Sequence, residues 1–274
     1  TLKIFIMSES LSLNNKNIIL TGAGGILGQK LSQAFLDEGA NVALLDIDAD
    51  ALNTLKKTLV PNKNNRFILY ELDLTNLNQV NNTIKKIHSE FGYIDVLHNN
   101  AATKGSSTEE FLKPFEEYKL STWNEVMNGN LTSMFITTQA VGQIMKEQNN
   151  GSIIQTASIY GVVTPDKGMY KGSYYNDLEI SCPASYSVSK SGVIGLTKYL
   201  ASYWGENNIR VNSISPGGVY SGQNDTFVSK YSSKVPLGRM TKEKDILGLA
   251  IFLASDASSY ITGQNIIIDG GFTL

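Results

Sequence analysis

The chain alternates short, wholly apolar runs with longer segments whose apolar residues recur at helical spacing. Ile18-Ile19-Leu20 is the first run; it leads into a glycine-rich turn and a helical pattern over 25–38. Residues 41–45 form a second run that ends at Asp46, and 50–59 read as a helix. A third strand is predicted over 66–72, then Asp73-Leu74-Thr75 and a polar helix over 77–91, with 94–98 the fourth strand. The second half keeps the rhythm. Residues 121–146 suit one long helix or two short ones, 152–156 a strand, 185–204 a helix, 209–214 a strand, 246–254 a helix and 265–268 a last strand. Apolar runs separated by helical patterns, with no hairpin signal between them, point to a parallel sheet covered on both faces. About seven strands and six helices in unbroken alternation predict one doubly wound α/β domain over 1–274, with ligands at the carboxyl ends of the strands. The opening 1–14 reads as an N-terminal extension.

Composition narrows the chemistry. In 274 residues, 23 Lys and Arg stand against 25 Asp and Glu, a net charge of −2. No broad positive field is available for nucleic acid. The single Cys182 and the two histidines, His88 and His98, exclude a disulfide scaffold, a structural zinc cluster and a three-histidine metal site. No metal is expected. No run reaches the length of a membrane span and no secretory signal stands out, so a cytoplasmic enzyme acting on a small molecule is the expectation.

Two segments carry candidate chemistry. Thr21-Gly22-Ala23-Gly24-Gly25-Ile26-Leu27-Gly28 joins the first strand to the first helix. Glycines there let the backbone approach a pyrophosphate, which rests at the helix N-terminus. An acid at the position of Asp46 accepts hydrogen bonds from an adenosine ribose; the bland alternative is a solvated loop acid. A 2′-phosphate would meet like charge at Asp46, with no Arg nearby to offset it, which favours NAD over NADP. The second segment is Tyr186-Ser187-Val188-Ser189-Lys190, which sets a phenol and an ammonium on one helix face. The cation is expected to draw the phenol pKa down from about 10 toward working pH. Ser158, just beyond the fifth strand, is a hydroxyl within reach of the same site. Cys182 lacks a histidine nearby in sequence and reads as a pocket-wall or packing residue rather than a nucleophile.

Together these motifs make the chain resemble a classical short-chain dehydrogenase/reductase, over nearly its whole length. The resemblance implies a Rossmann-type sandwich with seven parallel strands in the order 3-2-1-4-5-6-7. It implies a dinucleotide on Gly22, Gly24, Gly25, Ile26, Leu27 and Gly28, with Asp46 and Ile47 at the ribose and Asp73 and Leu74 at the adenine. Asn100, Ala101 and Ala102 fall in the segment that stabilises the central strand beside the cofactor. Pro216, Gly217, Val219 and Ser221 fall where the nicotinamide end is held. The family's catalytic residues match Asn130, Ser158, Tyr186 and Lys190. Tyr186 exchanges a proton with the reacting oxygen, Ser158 hydrogen-bonds that oxygen, Lys190 also holds the nicotinamide ribose, and Asn130 anchors a relay water. By itself Asn130 also suits a helix cap or kink. The resemblance further implies a homo-oligomer, most often a tetramer and next a dimer, paired through the helix after Asn130 and the helix of Tyr186.

The chain departs from the family pattern in three places. The spacing Gly22, Gly25, Gly28 puts Ile26 where the middle glycine usually sits, and Ala102 replaces a usual glycine. The stretch between Ser158 and Tyr186 is longer than in common members, with the surplus in 164–182. This insertion is similar to that of bacterial members associated with flagellin modification and surface-polysaccharide synthesis. Its rings and polar groups suit a sugar or sugar derivative, and Tyr160, Tyr170, Tyr174 and Gly218 join Ser158 and Tyr186 as candidate substrate contacts. The alternatives are a surface decoration or a subunit contact for the insertion, and an apolar ketone or acyl group as substrate. A binding protein that senses dinucleotide without turnover is a third reading. A second insertion, 103–120, is expected to form a small helix beside the cleft, and 219–239 a mobile substrate loop.

Overall fold

Ile18, Ile19 and Leu20 are all buried because strand β1 (Asn17–Thr21) lies at the centre of a sheet covered on both faces. Successive side chains point to opposite faces of a strand, so Ile18 and Leu20 join one core and Ile19 the other. In this computed structural model the described residues are 10–274 apart from 63 and 176, with only the backbone of Tyr175; the first nine residues of the expected N-terminal extension lie outside them.

From β1 the chain runs through α1 (Ile26–Asp37), β2 (Asn41–Asp46), α2 (Ala49–Thr58), β3 (Phe67–Glu71), α3 (Leu77–Phe91) and β4 (Val96–Asn99). Then follow α4 (Leu120–Met127), α5 (Ser133–Gln148), β5 (Gly151–Thr156), α6 (Ala184–Tyr203), β6 (Ile209–Pro216), α7 (Asp225–Lys234), α8 (Glu243–Ala254) and β7 (Asn265–Ile268). The sheet order is β3-β2-β1-β4-β5-β6-β7, and every pairing is parallel. Phe35, Leu52 and Leu253 of α1, α2 and α8 cover one face. Ile84, Val141 and Leu200 of α3, α5 and α6 cover the other. Crossover helices on both faces turn every strand the same way. The ends of β1, β2, β4, β5 and β6 therefore open along one edge, and the cleft lies there.

The stretch 121–146 is two helices joined by a π-helical turn, Asn128–Thr132. The substrate-loop segment 219–239 is only partly a loop, since α7 occupies its middle with Asn224 capping Phe227. Within 103–120 a one-turn helix, Thr108–Phe111, forms as expected. The longer insertion holds another, Lys167–Tyr170, and a short antiparallel hairpin of Tyr174–Tyr175 with Leu178–Glu179. Ile159, Met169, Tyr170, Phe227, Tyr231, Val235 and Met240 form a third apolar cluster, which packs this insertion on α7. Among the described residues no helix is long and apolar enough to cross a membrane.

Candidate active site

One cavity of about 1100 Å³ runs along the carboxyl edge of the sheet. It exceeds the roughly 300–1,000 Å³ of most small-molecule sites, which leaves room for more than one ligand. Its floor at one end is the glycine-rich turn. Gly22 has a φ of +66° and presses on Ala101, so that a Cβ on it would lie 2.7 Å from the Ala101 Cα. The neighbouring strand holds that turn. Thr21 Oγ1 accepts from the backbone N–H groups of Asn100 and Ala101 at 3.0 and 3.1 Å, and Asn100 Nδ2 donates back to the carbonyls of Thr21 and Gly22 at 3.3 and 3.2 Å.

Helix α1 starts directly from the turn, and its N-cap, Gly25, supplies no side-chain cap. The first N–H groups of α1 thus keep their donor capacity at the edge of the cavity, the electrostatic arrangement an anion needs. At the end of β2, Asp46 accepts from the backbone N–H of Gly24 at 2.8 Å and that of Asp48 at 3.0 Å. Each oxygen keeps a further lone pair for a ligand hydroxyl. Ile47 is 68% exposed beside it, an apolar surface left for a flat group to cover. Asp73 is folded against Thr75, whose N–H and hydroxyl both donate to Asp73 Oδ1. Leu74, Ala102, Pro216, Gly217, Val219 and Ser221 complete this side of the wall. These residues suit a dinucleotide: donors for phosphates, an acid for ribose hydroxyls and apolar walls for rings.

Gly28, also expected to touch the cofactor, lies behind the wall. A Cβ on it would stand 2.0 Å from the Gly22 carbonyl oxygen, so Gly28 lets helix and turn pack.

Ser158, Tyr186 and Lys190 line the same cavity. Ser158 is extended at the end of β5 and caps a 3₁₀ turn, its Oγ accepting from Tyr160 N–H at 3.2 Å. Lys190 is only 2% exposed, and its Nζ donates to the Thr156 carbonyl at 2.9 Å while standing 5.9 Å from the centre of the Tyr186 ring. Burial drives the Lys190 ammonium down to about 8 from 10.5. The expected lowering of the Tyr186 pKa is not found. Burial raises it, more than the hydrogen bond with Ser158 lowers it, and Cys182 adds to the rise. A lysine that is itself poorly solvated and turned to a carbonyl does not offset the desolvation of a phenolate. Tyr186 is therefore a neutral phenol at neutral pH.

Asn130 is fully buried behind the wall. Its Oδ1 accepts from Thr103 N–H at 2.6 Å and its Nδ2 reaches Ser189 Oγ at 3.5 Å, while that hydroxyl donates to the Tyr186 carbonyl at 2.8 Å. The π turn around it places Asn130 between the 103–106 loop and the first turn of α6; such turns recur at functional sites.

Of the candidate substrate contacts, Tyr160, Tyr170 and Gly218 line the cavity. Tyr174 does not: it sits on the outer hairpin, 46% exposed. Tyr170 donates to the Tyr160 hydroxyl at 2.6 Å, and Gly218 N–H donates to the Tyr231 hydroxyl at 2.5 Å. Cys182 is a wall residue, its thiol pushed up to about 12 by burial. Phe227 and Tyr231 of the expected 219–239 loop also line the cavity, and sequence reading did not single out Gln223 and Met240, or Glu125 with Ser106 at the rim. Gln223 lay within the expected 219–239 loop, whereas no local signal marked Met240, Glu125 or Ser106.

A family model described as enoyl-(acyl carrier protein) reductase matches residues 22–273. The 3-oxoacyl-(acyl-carrier-protein) reductase FabG of Thermotoga maritima is 34% identical over 96% of this chain and 99% of its own. D-threitol dehydrogenase of Mycolicibacterium smegmatis is 31% identical, covering 96% of this chain and 94% of its own. A short-chain dehydrogenase from Leptospira borgpetersenii, solved with bound NAD+, superposes with a TM-score of 0.82 at 31% identity, over 100% of this chain and 98% of that one. With a dinucleotide cradle and a Ser–Tyr–Lys wall in one cavity, these matches establish that the chain belongs to the short-chain dehydrogenase/reductase family of nicotinamide-dependent oxidoreductases.

Proposed function

We propose that the protein interconverts a secondary alcohol and a ketone with NAD(H), using Tyr186 as general acid and base. The observation that carries this reading is that Ser158, Tyr186 and Lys190 share one cavity with the glycine-rich turn and Asp46. Gly22, Gly24, Gly25, Ile26 and Leu27 hold the pyrophosphate side, Asp46 and Ile47 the ribose, and Asp73 and Leu74 the adenine. The nicotinamide, when bound, supplies or takes up the hydride. In reduction, Tyr186 gives its proton to the carbonyl oxygen as the alcohol forms; oxidation is the reverse and needs Tyr186 as the phenolate, which takes the hydroxyl proton once alkaline pH has removed its own. Its raised pKa keeps that proton in place at neutral pH. Ser158 hydrogen-bonds the reacting oxygen and stabilises the charge that develops on it. Lys190 holds the ribose and keeps positive charge beside the phenol. Asn130 positions the 103–106 loop against the helix that carries both residues. The preference for NAD rests on Asp46, whose carboxylate at the cavity wall would repel the charge of a 2′-phosphate bound beside it.

The substrate side supports a compact ketone with an apolar body. Ile159, Ile180, Phe227 and Met240 form its walls. Tyr160, whose oxygen accepts the hydrogen bond from Tyr170, keeps its own hydroxyl hydrogen to donate to a single further oxygen. A sugar or polyol is the second reading, supported by the threitol and glycerol dehydrogenases among the relatives.

We also read the protein as a homotetramer. An exposed groove of about 440 Å³ between α5 and α6, lined by Leu131, Phe135, Leu196 and Tyr199, offers the apolar seam, and light scattering tests it. For the reaction, absorbance at 340 nm should report NADH-linked turnover across a panel of cyclic ketones, acyl ketones, polyols and sugars. Turnover lost in Tyr186→Phe, with NADH binding kept, is expected. Equal turnover in the variant would refute the role of Tyr186.

A further inference from the structure

The turn between β6 and α7 already holds a primary carboxamide. Gln223, a wall residue of the cavity, folds its side chain back onto residues 219–221. Its Oε1 accepts from Ser221 N–H at 2.8 Å, and its Nε2 donates to Ser221 Oγ at 3.1 Å and to the Val219 carbonyl at 3.4 Å. One donor and two acceptors thus converge on a group with a carbonyl oxygen and an NH₂. Val219 and Ser221 line the same cavity as Tyr186 and Lys190. The only other primary carboxamide that the proposed reaction brings to this wall is that of the nicotinamide ring, which has the same donors and acceptor as the glutamine side chain.

We propose that Gln223 is an internal competitor for the nicotinamide carboxamide: it satisfies Val219 and Ser221 in the free enzyme and swings out when the dinucleotide binds. This rests on the dinucleotide reading above. The physical logic is exchange. Unpaired, Ser221 N–H and the Val219 carbonyl at a partly dry wall would carry a desolvation cost. Gln223 removes that cost in the free state, so the incoming carboxamide replaces hydrogen bonds rather than making new ones. The nicotinamide half then adds less affinity than its contacts suggest, and its release is correspondingly easier. The adenosine half, seated at the glycine-rich turn and Asp46, is untouched by the exchange.

The test separates the two halves of the cofactor. Calorimetry on the full chain measures NADH and ADP-ribose, which lacks the nicotinamide ring, against wild type, Gln223→Ala and Gln223→Leu. The leucine variant keeps side-chain bulk in the turn but removes both amide functions. Expected is a tightening of NADH binding by about three- to tenfold in both variants, the size of one or two net hydrogen bonds, with ADP-ribose affinity unchanged. A ratio of NADH to ADP-ribose affinity that stays constant or falls in both variants would overturn the proposal. Wild-type protein that binds neither ligand would overturn the dinucleotide reading itself, and the competition with it.

Discussion

Replacing Lys190 with methionine should abolish turnover and yet make the free enzyme more stable at neutral pH. The folded protein keeps an ammonium almost wholly out of water, with the Thr156 carbonyl as its one hydrogen-bond partner among the described residues. A depression from 10.5 to about 8 corresponds to about 3 kcal/mol of folding free energy, at about 1.4 kcal/mol per pH unit. The cost is fully present below pH 8, where both folded and unfolded chains carry the proton. Between about 8 and 10.5 the unfolded chain binds a proton that the folded chain has lost, so wild-type stability gains on that of the variant as pH rises. Methionine fills a similar space without charge, but the Thr156 carbonyl loses a donor, at about 1 kcal/mol. We therefore predict that Lys190→Met is more stable than wild type by about 2 kcal/mol at pH 7, with the difference closing by pH 10. Urea unfolding at matched protein concentration, followed by far-UV circular dichroism at pH 7, 8.5 and 10, reads it directly. Other groups titrate alike in both proteins and cancel. A variant no more stable at pH 7, or a difference that does not change with pH, would refute the reasoning.

Three further outcomes are expected. Gly28→Ala should lose about 1–3 kcal/mol of stability in urea, since its methyl would meet the Gly22 carbonyl at 2.0 Å, and NADH titration should weaken with it as the turn is displaced. Asp46→Ala should raise NADPH affinity relative to NADH by at least about tenfold in fluorescence titrations, because it removes the like charge facing a 2′-phosphate; an unchanged ratio would place cofactor choice elsewhere. Cys182, held near 12 against an ordinary 9.0, should react with iodoacetamide at pH 8 at least about a hundredfold more slowly than a free cysteine peptide, and mass spectrometry of timed samples measures this.

Much of the molecule was legible in the sequence because its parts are local or strictly periodic. Ile18-Ile19-Leu20 had to lie between two layers, and the alternation of runs and helices pointed to a doubly wound parallel sheet, while its strand order, which the structure has, came from the family resemblance. The glycine-rich turn and Asp46 were readable because a strand, a tight turn and a helix succeed one another there. Beyond Ser158 beside Tyr186 and Lys190, sequence was silent on where side chains from distant segments meet. The turn of α7 that carries Tyr231 is mostly polar, and its packing on Phe272 at 4.8 Å joins residues far apart in the chain. The direction of the Tyr186 pKa was misread for a related reason: spacing gives the proximity of a lysine but not the dryness of the place where both sit. Tyr174 looked like Tyr170 in sequence, yet four residues are enough for the chain to turn out of the cavity into a hairpin.

The third apolar cluster has a consequence for how the molecule breathes. Residues of the 164–182 insertion and of α7 share a small core of their own, apart from the two that clamp the sheet. A unit held by seven buried side chains opens at lower free energy than the sheet beneath it. Amide hydrogens of α7 and the insertion should therefore exchange together, as one cooperative block, while those of β1, β4 and β5 wait for global unfolding. On the substrate side proposed above, specificity then resides in a part of the protein able to melt and re-form around a new ligand without loosening the frame that holds the dinucleotide.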